Sequence, residues 1–321
     1  MTPFKKVIAA LFMSAITSIS SAQTWPVKPV KIVVPYAAGG PADVTAREIA
    51  QKLSKSTSQT FVVENQGGAM GIPSLMAVTR AEPDGHTLWM PALGNAVLQP
   101  LLSNQGGAEH IAKLRPVGMV STSPHVLVVS AKLPVKNVQE LIAFAKANPG
   151  QVSFASAGVG GTAHLAAELF KSLTKTDVVH VPYKGTSAAT NDLASGRVSA
   201  MFSSLPSLQG VVDKGYVRLL AATAPSKSPA TRDLPQMSAA VPGFEYSSWY
   251  AMYVSRQTPT AVVSRINALL QQTLKDTELA AKIELHGMEL MPSGPEEVER
   301  WVKRDEEKWR AVIQKAGISI D

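Results

Sequence analysis

Hydrophobic residues in this chain occur in short runs, and the stretches between the runs repeat apolar residues at helical spacing. Short runs are typical of buried strands, and the helical spacing is typical of amphipathic helices. In the first part of the chain the predicted strands are Ile32–Val34, Phe61–Val63, Leu88–Met90 and Val117–Val120. The helix predicted between the first two strands presents on one face Ala46, Ile49, Ala50 and Leu53. This alternation predicts an α/β fold whose helices cover a mainly parallel sheet.

A second block of the same kind follows. Its predicted strands are Val126–Val129, Phe154, Val178–Val181, Ala200–Phe202 and Val217–Ala222. A helix is predicted over Val138–Ala147, and Asn148-Pro149-Gly150 ends it. A further helix, before Val178, has an apolar face made of Leu165, Ala166, Leu169 and Leu173. The segment from Pro225 to Pro242 is rich in serine, threonine and proline, which predicts a long surface loop.

The C-terminal part of the chain predicts a return to the first block. An aromatic-rich strand is predicted over Ser248–Val254, and two helices follow it, starting near Pro259 and at Ser293. Two crossings between the blocks would form a hinge, and the cleft between them is a natural ligand site. The predicted units are lobe 1, residues 23–124 with 247–321, and lobe 2, residues 125–246.

The first 22 residues have the pattern of a secretory signal peptide. Lys5 and Lys6 precede an apolar run over Val7–Ile16, and Ser20-Ser-Ala22 resembles a cleavage site. That run is too short to cross a bilayer, and no later segment approaches the roughly 18 apolar residues of a span. The chain has no cysteine, which excludes disulfides, thiolate metal sites and a lipid-modified cysteine. We therefore predict a periplasmic protein that is not itself embedded in the membrane.

Charged residues are spread along the chain rather than clustered. The formal charge is +7, and two of the lysines belong to the signal peptide. No long basic run is present and the tryptophans are scattered, so nucleic-acid binding is not favoured. In the last helix, which closes at Gly317, the charges between Glu297 and Lys308 predict a solvated face, whereas Trp301 and Trp309 are predicted to face the core.

Two stretches, one in each predicted lobe, share the plan of strand, glycine-rich turn and helix. The first runs from Lys31 through Gly39-Gly40 to Asp43, and the second from Gln151 through Gly158-Val-Gly160-Gly161 to Thr162. Each turn would place free backbone N–H groups and the positive end of a helix dipole at the mouth of a sheet, where anions bind. The alternative is that the glycines only permit a tight turn. Their matched positions in two lobes favour a single anionic ligand held between them.

The side chains around the turns suit a carboxylate. Ser156 and Thr162 can donate hydroxyl hydrogen bonds, and the glycines offer N–H groups without steric obstruction. Asp43 would repel an anion, so we favour a structural role at the start of its helix. His164 is either a donor to the ligand or a buried histidine. No arginine lies within either turn, which favours recognition by dipoles and backbone over a bidentate salt bridge.

Sequence patterns of catalysis and of cofactor binding are missing. The histidines have no metal-ligand spacing, and neither glycine turn is a P-loop or a clean G-x-G-x-x-G. Ala155-Ser156-Ala157-Gly158 lacks the first glycine of the G-x-S-x-G elbow. The S-x-x-K match at Ser172 and Lys175 is a pattern that is common by chance. We predict that the protein is not an enzyme and that it uses no cofactor and no metal.

The ordered motifs resemble the Bug family of periplasmic receptors, the solute-binding components of tripartite tricarboxylate transporters. The resemblance covers essentially the whole mature chain. It is carried by Lys31-Ile-Val-Val-Pro-Tyr36 with Gly39-Gly40 and Asp43, Val63-Glu-Asn65, Pro83-Asp-Gly85, Ser156-Ala-Gly158, His164-Leu-Ala with Glu168-Leu-Phe170, His180-Val-Pro-Tyr-Lys-Gly185, Pro242-Gly-Phe-Glu245 with Trp249, and Thr258-Pro259.

This resemblance implies a type II periplasmic-binding-protein fold, two α/β lobes joined by a two-crossing hinge that close on the ligand. It implies a small carboxylate ligand, held between the glycine loops partly through ordered water, and inner-membrane transporter subunits as partners. The contacts that it implies are Tyr36, Gly39, Gly40, Ser156, Gly160, Gly161, Thr162 and His164.

Three segments depart from the family pattern. Gln66–Gly71 replaces Arg-Pro-Gly-Ala-Gly-Gly, Phe202-Ser203-Ser204 replaces Phe-Asp-Ser, and Pro91–Asn95 replaces a more polar loop. We therefore expect a retained carboxylate grip with an altered distal pocket. Two alternatives to uptake stay open: a sensor that presents its closed form to a membrane signalling protein and, more distantly, an exported hydrolase using Ser156.

Overall fold

The computed structural model of the protein describes residues 25–103, 107–229 and 231–318. The predicted signal peptide lies outside the described residues. The strands are β1 (Val30–Val34), β2 (Phe61–Asn65), β3 (Thr87–Trp89), β4 (Leu114–Pro124), β5 (Val126–Ser130), β6 (Val152–Ser156), β7 (Val178–Pro182), β8 (Ala200–Ser203), β9 (Val217–Ala222), β10 (Ser247–Ser255) and β11 (Glu289–Leu290). The helices are α1 (Pro41–Thr57), α2 (Ile72–Thr79), α3 (Gln99–Leu102), α4 (Gly107–Ile111), α5 (Val138–Ala147), α6 (Thr162–Thr174), α7 (Thr186–Ser195), α8 (Gln209–Val212), α9 (Met237–Ala240), α10 (Thr260–Leu274), α11 (Thr277–Glu284) and α12 (Pro295–Ala316). Single turns of other helical types occupy Ala69–Gly71, Gly94–Leu98 and Leu205–Leu208.

The strands form two sheets. The first has the order β11-β4-β10-β3-β1-β2, and the second has the order β7-β6-β8-β5-β9. The first sheet therefore takes strands from both ends of the described chain, whereas the second takes only the strands between them. The chain passes from the first sheet to the second between Pro124 and Val126 and returns before Ser247, and the β4–β10 register pairs Pro124 with Ser247. The two crossings consequently lie side by side.

The prediction of a mainly parallel arrangement is wrong. Strand β1 runs parallel to β2 and β3, and β6 runs parallel to β7 and β8. The pairs β3–β10, β4–β10 and β4–β11 are antiparallel, as are β5–β8 and β5–β9. For β4 and β10 the cause is the hinge, because the chain leaves the first sheet along β4 and comes back along β10, so these neighbours point in opposite directions.

Two local predictions also need correction. The segment from Pro225 to Pro242 is only partly a surface loop: its backbone pairs with β9 at Gln236, α9 follows, and Met237 and Val241 are buried. The charged face of α12 is not wholly solvated either. Asp305 is buried there and accepts a 2.7 Å hydrogen bond from the indole nitrogen of Trp249, because α12 packs closely over the first sheet.

One buried apolar cluster extends across both sheets. Trp89 of the first sheet belongs to it, as do Phe154 and Phe202 of the second, and α12 contributes Trp309 and Ile313. A second cluster lies between the first sheet and the helices α1, α10 and α11, and a third covers the other face of the second sheet under α7. Within the described residues, no helix combines the length and apolar character needed to cross a bilayer.

Helix starts differ in a way that matters for the site. The side chains of Asn137 and Asp276 cap α5 and α11 by accepting backbone N–H hydrogen bonds. By contrast, α1, α6 and α7 begin after Gly40, Gly161 and Gly185, which have no side chain to do this. The N–H groups at these three starts stay available for other acceptors.

Candidate functional site

A cavity of about 330 Å³ opens at the ends of the second sheet's strands and faces the first sheet across the cleft. Most of its wall comes from the second sheet, and Met70 reaches it from the first. A Cβ atom placed on Gly94 would lie 4.0 Å from Cγ2 of Thr162, so the two sides approach closely here. The lining residues are Met70, His125, Ala157, Gly158, Val159, Gly161, Thr162, Ala163, Thr186, Met201, Phe202, Ser203, Ser204 and Ser207.

The start of α6 supplies hydrogen-bond donors to this cavity. The first bond within the helix runs from the Leu165 N–H to the Gly161 carbonyl, at 3.1 Å. The preceding N–H groups, including those of Thr162 and Ala163, therefore have no acceptor in the helix, and both residues line the cavity. The Thr162 hydroxyl and the positive end of the helix dipole add to the donors, so this corner of the cavity favours a negative charge.

Further donors come from residues that the sequence analysis did not identify. Thr186 begins α7, and Ser207 lies in the helical turn that follows β8. The hydroxyl oxygens of Ser204 and Ser207 lie 2.9 Å apart. Sequence reasoning noted Ser203 and Ser204 only as the loss of an acid, and missed Thr186 although it follows the His180–Gly185 motif directly.

His125 is the other residue of the wall that the sequence analysis missed. It lies at the first crossing, next to Val126, which pairs with Ser203. Its Nδ1 atom is buried without a hydrogen-bond partner, and its ring packs edge-on against Tyr246 with centroids 5.0 Å apart. Burial lowers the pKa of His125 to about 4, so the imidazole is neutral at neutral pH.

The lining of the cavity carries no acidic side chain, no lysine and no arginine among the described residues. With His125 neutral, preference for an anion must come from N–H groups, hydroxyls and helix dipoles. This is the recognition mode that the sequence analysis favoured over a salt bridge. The positions of Met70 and Ser203 place two of the three departures from the family pattern on the wall of the cavity.

The first glycine turn is tied to its own helix. The Gly39 N–H donates to the Asp43 carboxylate at 2.9 Å, and the Arg47 Nε donates to the same carboxylate at 3.0 Å. Arg47 also reaches Asn65, whose amide donates to the Tyr36 carbonyl. Asp43 is buried, and these contacts are those of a structural carboxylate.

Tyr36 connects this turn to the loops beside the cavity. Its hydroxyl donates to Asn95 Oδ1 at 2.5 Å, and the Asn95 amide donates to the Met70 carbonyl at 2.9 Å. A Cβ atom on Gly71 would meet the Asn95 amide nitrogen at 2.7 Å, so this glycine permits the close approach. Burial raises the pKa of Tyr36 well above its usual value, which keeps the phenol a hydrogen-bond donor.

The remaining predicted contacts lie behind the second turn. Ser156 is fully buried, and its hydroxyl oxygen is 2.6 Å from His180 Nε2 and 2.9 Å from the Gly158 carbonyl oxygen. The Gly160 N–H donates to His164 Nδ1 at 3.1 Å, so it is not free for a ligand. The burial of Ser156 leaves its oxygen out of reach of a substrate, and nothing here favours the hydrolase alternative.

Of the predicted ligand contacts, Gly161 and Thr162 line the cavity. Ser156, Gly160 and His164 support the turn from behind, and their direct contact with a ligand stays a prediction. So does that of the first-turn residues Tyr36, Gly39 and Gly40.

Comparison with known proteins agrees with this architecture. Residues 45–318 match the model of a family described as the tripartite tricarboxylate transporter family receptor, TctC. A UPF0065 protein from the tcbD–tcbE intergenic region of Pseudomonas sp. strain P51 is 32% identical over 317 residues, which cover 96% of this chain and 93% of that protein. BugT of Bordetella pertussis is 30% identical over 324 residues, covering 100% and 99% of the two chains.

Solved structures show the same fold. Rpa4515 of R. palustris, solved with adipate, is 32% identical and superposes with a TM-score of 0.81, covering 92% of this chain and 99% of its own. MatC of Rhodopseudomonas palustris, solved with bound malate, is 27% identical with a TM-score of 0.75, covering 90% and 100%. The structural neighbours include the periplasmic binding protein BugD, at 32% identity and a TM-score of 0.76.

Proposed function

The chain belongs to the tripartite tricarboxylate transporter family of receptors, and from that premise we propose that it captures a small carboxylate in the periplasm and delivers it to inner-membrane transporter subunits. The ligand would be held between two lobes, for which we propose residues 23–124 with 247–321 and residues 125–246. The proposed role is binding and delivery, without a chemical step.

The start of α6 is the observation that carries the proposal. It brings the uncapped N–H groups of Thr162 and Ala163, the Thr162 hydroxyl and the helix dipole to a cavity whose described wall has no charged side chain. A carboxylate there would accept hydrogen bonds from N–H groups that have no acceptor within the helix, without a competing acid nearby. Two solved relatives, with adipate and with malate, make short dicarboxylates the first ligands to test.

Closure would make binding selective. Contacts already join the two proposed lobes, because the Lys227 N–H donates to the Glu289 carboxylate and the Ser228 hydroxyl donates to the Glu284 carbonyl. A ligand that contacts both lobes binds the closed form better and shifts the population towards it. A transporter subunit would then bind the closed form, with ligand inside, in preference to the open form.

The test is a thermal-shift and calorimetric screen of the mature chain, unfolded and refolded to remove any carried ligand. Malate, adipate, other mono-, di- and tricarboxylates and aromatic acids are compared with the amides of the same acids. A ligand at about 100 times its dissociation constant adds about 2.7 kcal/mol of stability. The proposal predicts a response to an acid and none to its amide. Folded protein that responds to amides and not to acids would contradict it.

Delivery is tested separately in cells. Deleting the gene should abolish uptake of the acid identified in the screen, and restoring the gene should recover it. Normal uptake in the deletion strain, together with tight binding by the purified protein, would contradict delivery to a transporter. The sensor alternative would then be favoured.

A further inference from the structure

A buried and a half-buried histidine, His164 and His180, meet directly behind the second glycine turn. His164 lies on the first turn of α6 and His180 lies in β7, and their rings stack with centroids 3.6 Å apart and planes 11° apart. One ring thus belongs to the helix that starts at the cavity, and the other to the strand next to β6, from which the turn departs. The stack joins the two ends of the turn.

Each ring also holds one glycine of the turn. His164 Nδ1 accepts the 3.1 Å hydrogen bond from the Gly160 N–H. His180 Nε2 contacts the Ser156 hydroxyl, which accepts from the Gly158 N–H at 3.2 Å. Gly160 has a φ angle of +74°, a conformation that glycine adopts readily, so the hydrogen bonds rather than local strain select it here. The direction of the N–H groups that follow, at Gly161 to Ala163, therefore depends on both imidazoles.

We propose that His164 and His180 are positioning residues for the ligand-binding turn, and that they hold it only while both rings are uncharged, so that acid opens the turn and releases the ligand. This inference rests on the proposed function, because it concerns the same site. It adds a control of binding that neither the glycine pattern nor the cavity alone would indicate.

Hydrogen-bond chemistry explains why charge matters. An imidazole that accepts through Nδ1 carries its proton on Nε2, and a second proton would have to occupy Nδ1 itself. The Gly160 N–H would then face another N–H and lose its acceptor. Protonated His180 could still donate to Ser156, but two cationic rings at 3.6 Å repel each other. The structure therefore tolerates the neutral pair and opposes the charged one.

The surroundings of the pair agree with this. Burial and the neighbouring His180 lower the pKa of His164 to about 4, and burial lowers the pKa of His180. The nearest acid is Glu168 on α6, with Oε1 3.9 Å from His164 Nε2, beyond hydrogen-bond range, and burial raises the pKa of that carboxyl.

Other charged groups lie around these elements. Lys171 on α6 acts against the rise in the pKa of Glu168. Lys315 of α12 contacts Ser172 of α6. Beyond the turn, Tyr183 donates its backbone N–H to the Ser156 carbonyl and its hydroxyl to Asp192.

Variants that keep the acceptors but cannot titrate test the proposal. In His164→Asn the amide oxygen can replace Nδ1, and in His180→Gln the amide can replace Nε2. The double variant His164→Asn/His180→Gln should hold the turn at every pH. His164→Leu removes the acceptor and should weaken binding at every pH. His286→Asn, between α11 and β11, changes a histidine outside the turn and is the control.

Malate is the probe, and its affinity is measured by calorimetry between pH 7.5 and pH 4 for each variant. Comparing pH profiles cancels the titration of malate itself. Across this range the wild type should lose about three- to tenfold more affinity than the double variant, because protonation of a group with a lowered pKa is linked to loss of the bound state. The His286→Asn profile should match the wild type. Parallel profiles in the wild type and the double variant, with malate bound by both, would overturn the inference.

A ligand-free measurement separates this inference from the proposed function. NMR follows the imidazoles of His164 and His180 and the amide of Gly160 through the same pH range. The Gly160 amide should shift and lose protection from exchange as the rings take up protons, in the wild type only. An unchanged Gly160 amide would overturn the inference even if acids bind. If the Gly160 amide changes with pH in a protein that binds no acid, the positioning role is supported and the proposed function is contradicted.

Discussion

Thr162 offers the smallest change that tests the carboxylate grip. Thr162→Val keeps the shape of the side chain and removes only the hydroxyl, whereas the N–H groups of α6 stay in place. A hydrogen bond to a charged group contributes about 1.5–3 kcal/mol, so affinity for the acid should fall roughly 10- to 150-fold. Calorimetry with the acid identified in the screen measures this loss.

Thr260→Val is the matched control for this change. Thr260 is also the first residue of a helix without a side-chain cap, but it is exposed on the outer surface, on α10. Thr260→Val should leave the affinity for the acid unchanged. Thr162→Ser keeps a hydroxyl and should therefore bind the acid nearly as tightly as the wild type. Wild-type affinity in folded Thr162→Val would remove the hydroxyl from the site.

Replacing His125 should affect the stability of the fold and the affinity for the acid in opposite directions. Its unpaired Nδ1 costs free energy in the empty protein, since a buried polar group without a partner costs about 1–3 kcal/mol. His125→Phe keeps the edge-on packing against Tyr246 and removes the nitrogen. We expect the free energy of unfolding to stay level or rise and affinity for the acid to fall, by urea unfolding and calorimetry. A variant with lower stability and wild-type affinity would show that this nitrogen is not reserved for the ligand.

At the scale of single residues, local sequence patterns identified the residues of the site that begin α6. Gly161 and Thr162 follow a strand and begin a helix, and that pattern alone predicts exposed N–H groups. His125 and Ser207 carry no such signal, whereas Thr186, which follows Gly185 and begins α7, does. His125 meets the cavity through the antiparallel pairing of Val126 with Ser203, a contact between residues distant in the chain. The pairing of two strands that are distant in the chain cannot be inferred from the spacing of apolar residues within either strand.

At the scale of elements, periodicity predicted the long pieces and missed the short or unusual ones. The helix over Val138–Ala147 and the strand over Val217–Ala222 are confirmed with the predicted bounds. The helices α2 and α11 were missed, because about two turns give too few repeats to reveal a face. Strand direction was wrong because it is set by where the chain crosses between sheets, which hydrophobic runs do not encode.

The start of α1 supports a prediction about an element as a whole. Burial would raise the pKa of Asp43, but hydrogen bonds from Arg47 and from the Gly39 N–H outweigh it and hold the pKa below its usual value. Asp43→Asn should therefore destabilise the fold by about 1–3 kcal/mol at pH 7. Urea unfolding measures the loss.

The stabilisation that the Asp43 carboxylate provides should depend on pH. A lowered folded pKa stabilises above the pKa of an unfolded aspartate, about 3.9, and the gain is lost as the pH falls through the folded value. The gap between wild type and Asp43→Asn should thus close as the pH falls below about 3.9. The exposed Asp233→Asn should show no gap at pH 7. A gap that persists in acid would mean that shape, rather than charge, is what Asp43 contributes.

At the scale of the whole molecule, the lobes that would move against each other also share a core. The apolar cluster that contains Trp89 and Phe154 is continuous through Trp309 of α12. That helix packs on β4 of the first sheet, and Lys315 near its end contacts Ser172 of α6. Motion at the hinge is therefore anchored on the α12 side.

The shared core predicts that the two sheets unfold together. The tryptophans at 25, 89, 249, 301 and 309 all lie outside residues 125–246, so their fluorescence reports the first sheet and α12, whereas far-UV circular dichroism reports both sheets. Tyr216→Trp, at an exposed position before β9, adds a probe to the second sheet. In urea all three signals should give one midpoint, because a cooperative unit has coincident transitions. A circular dichroism transition that precedes the native tryptophan signal, with the Tyr216→Trp probe following it, would mean that the second sheet unfolds alone and that the core across α12 does not couple the lobes.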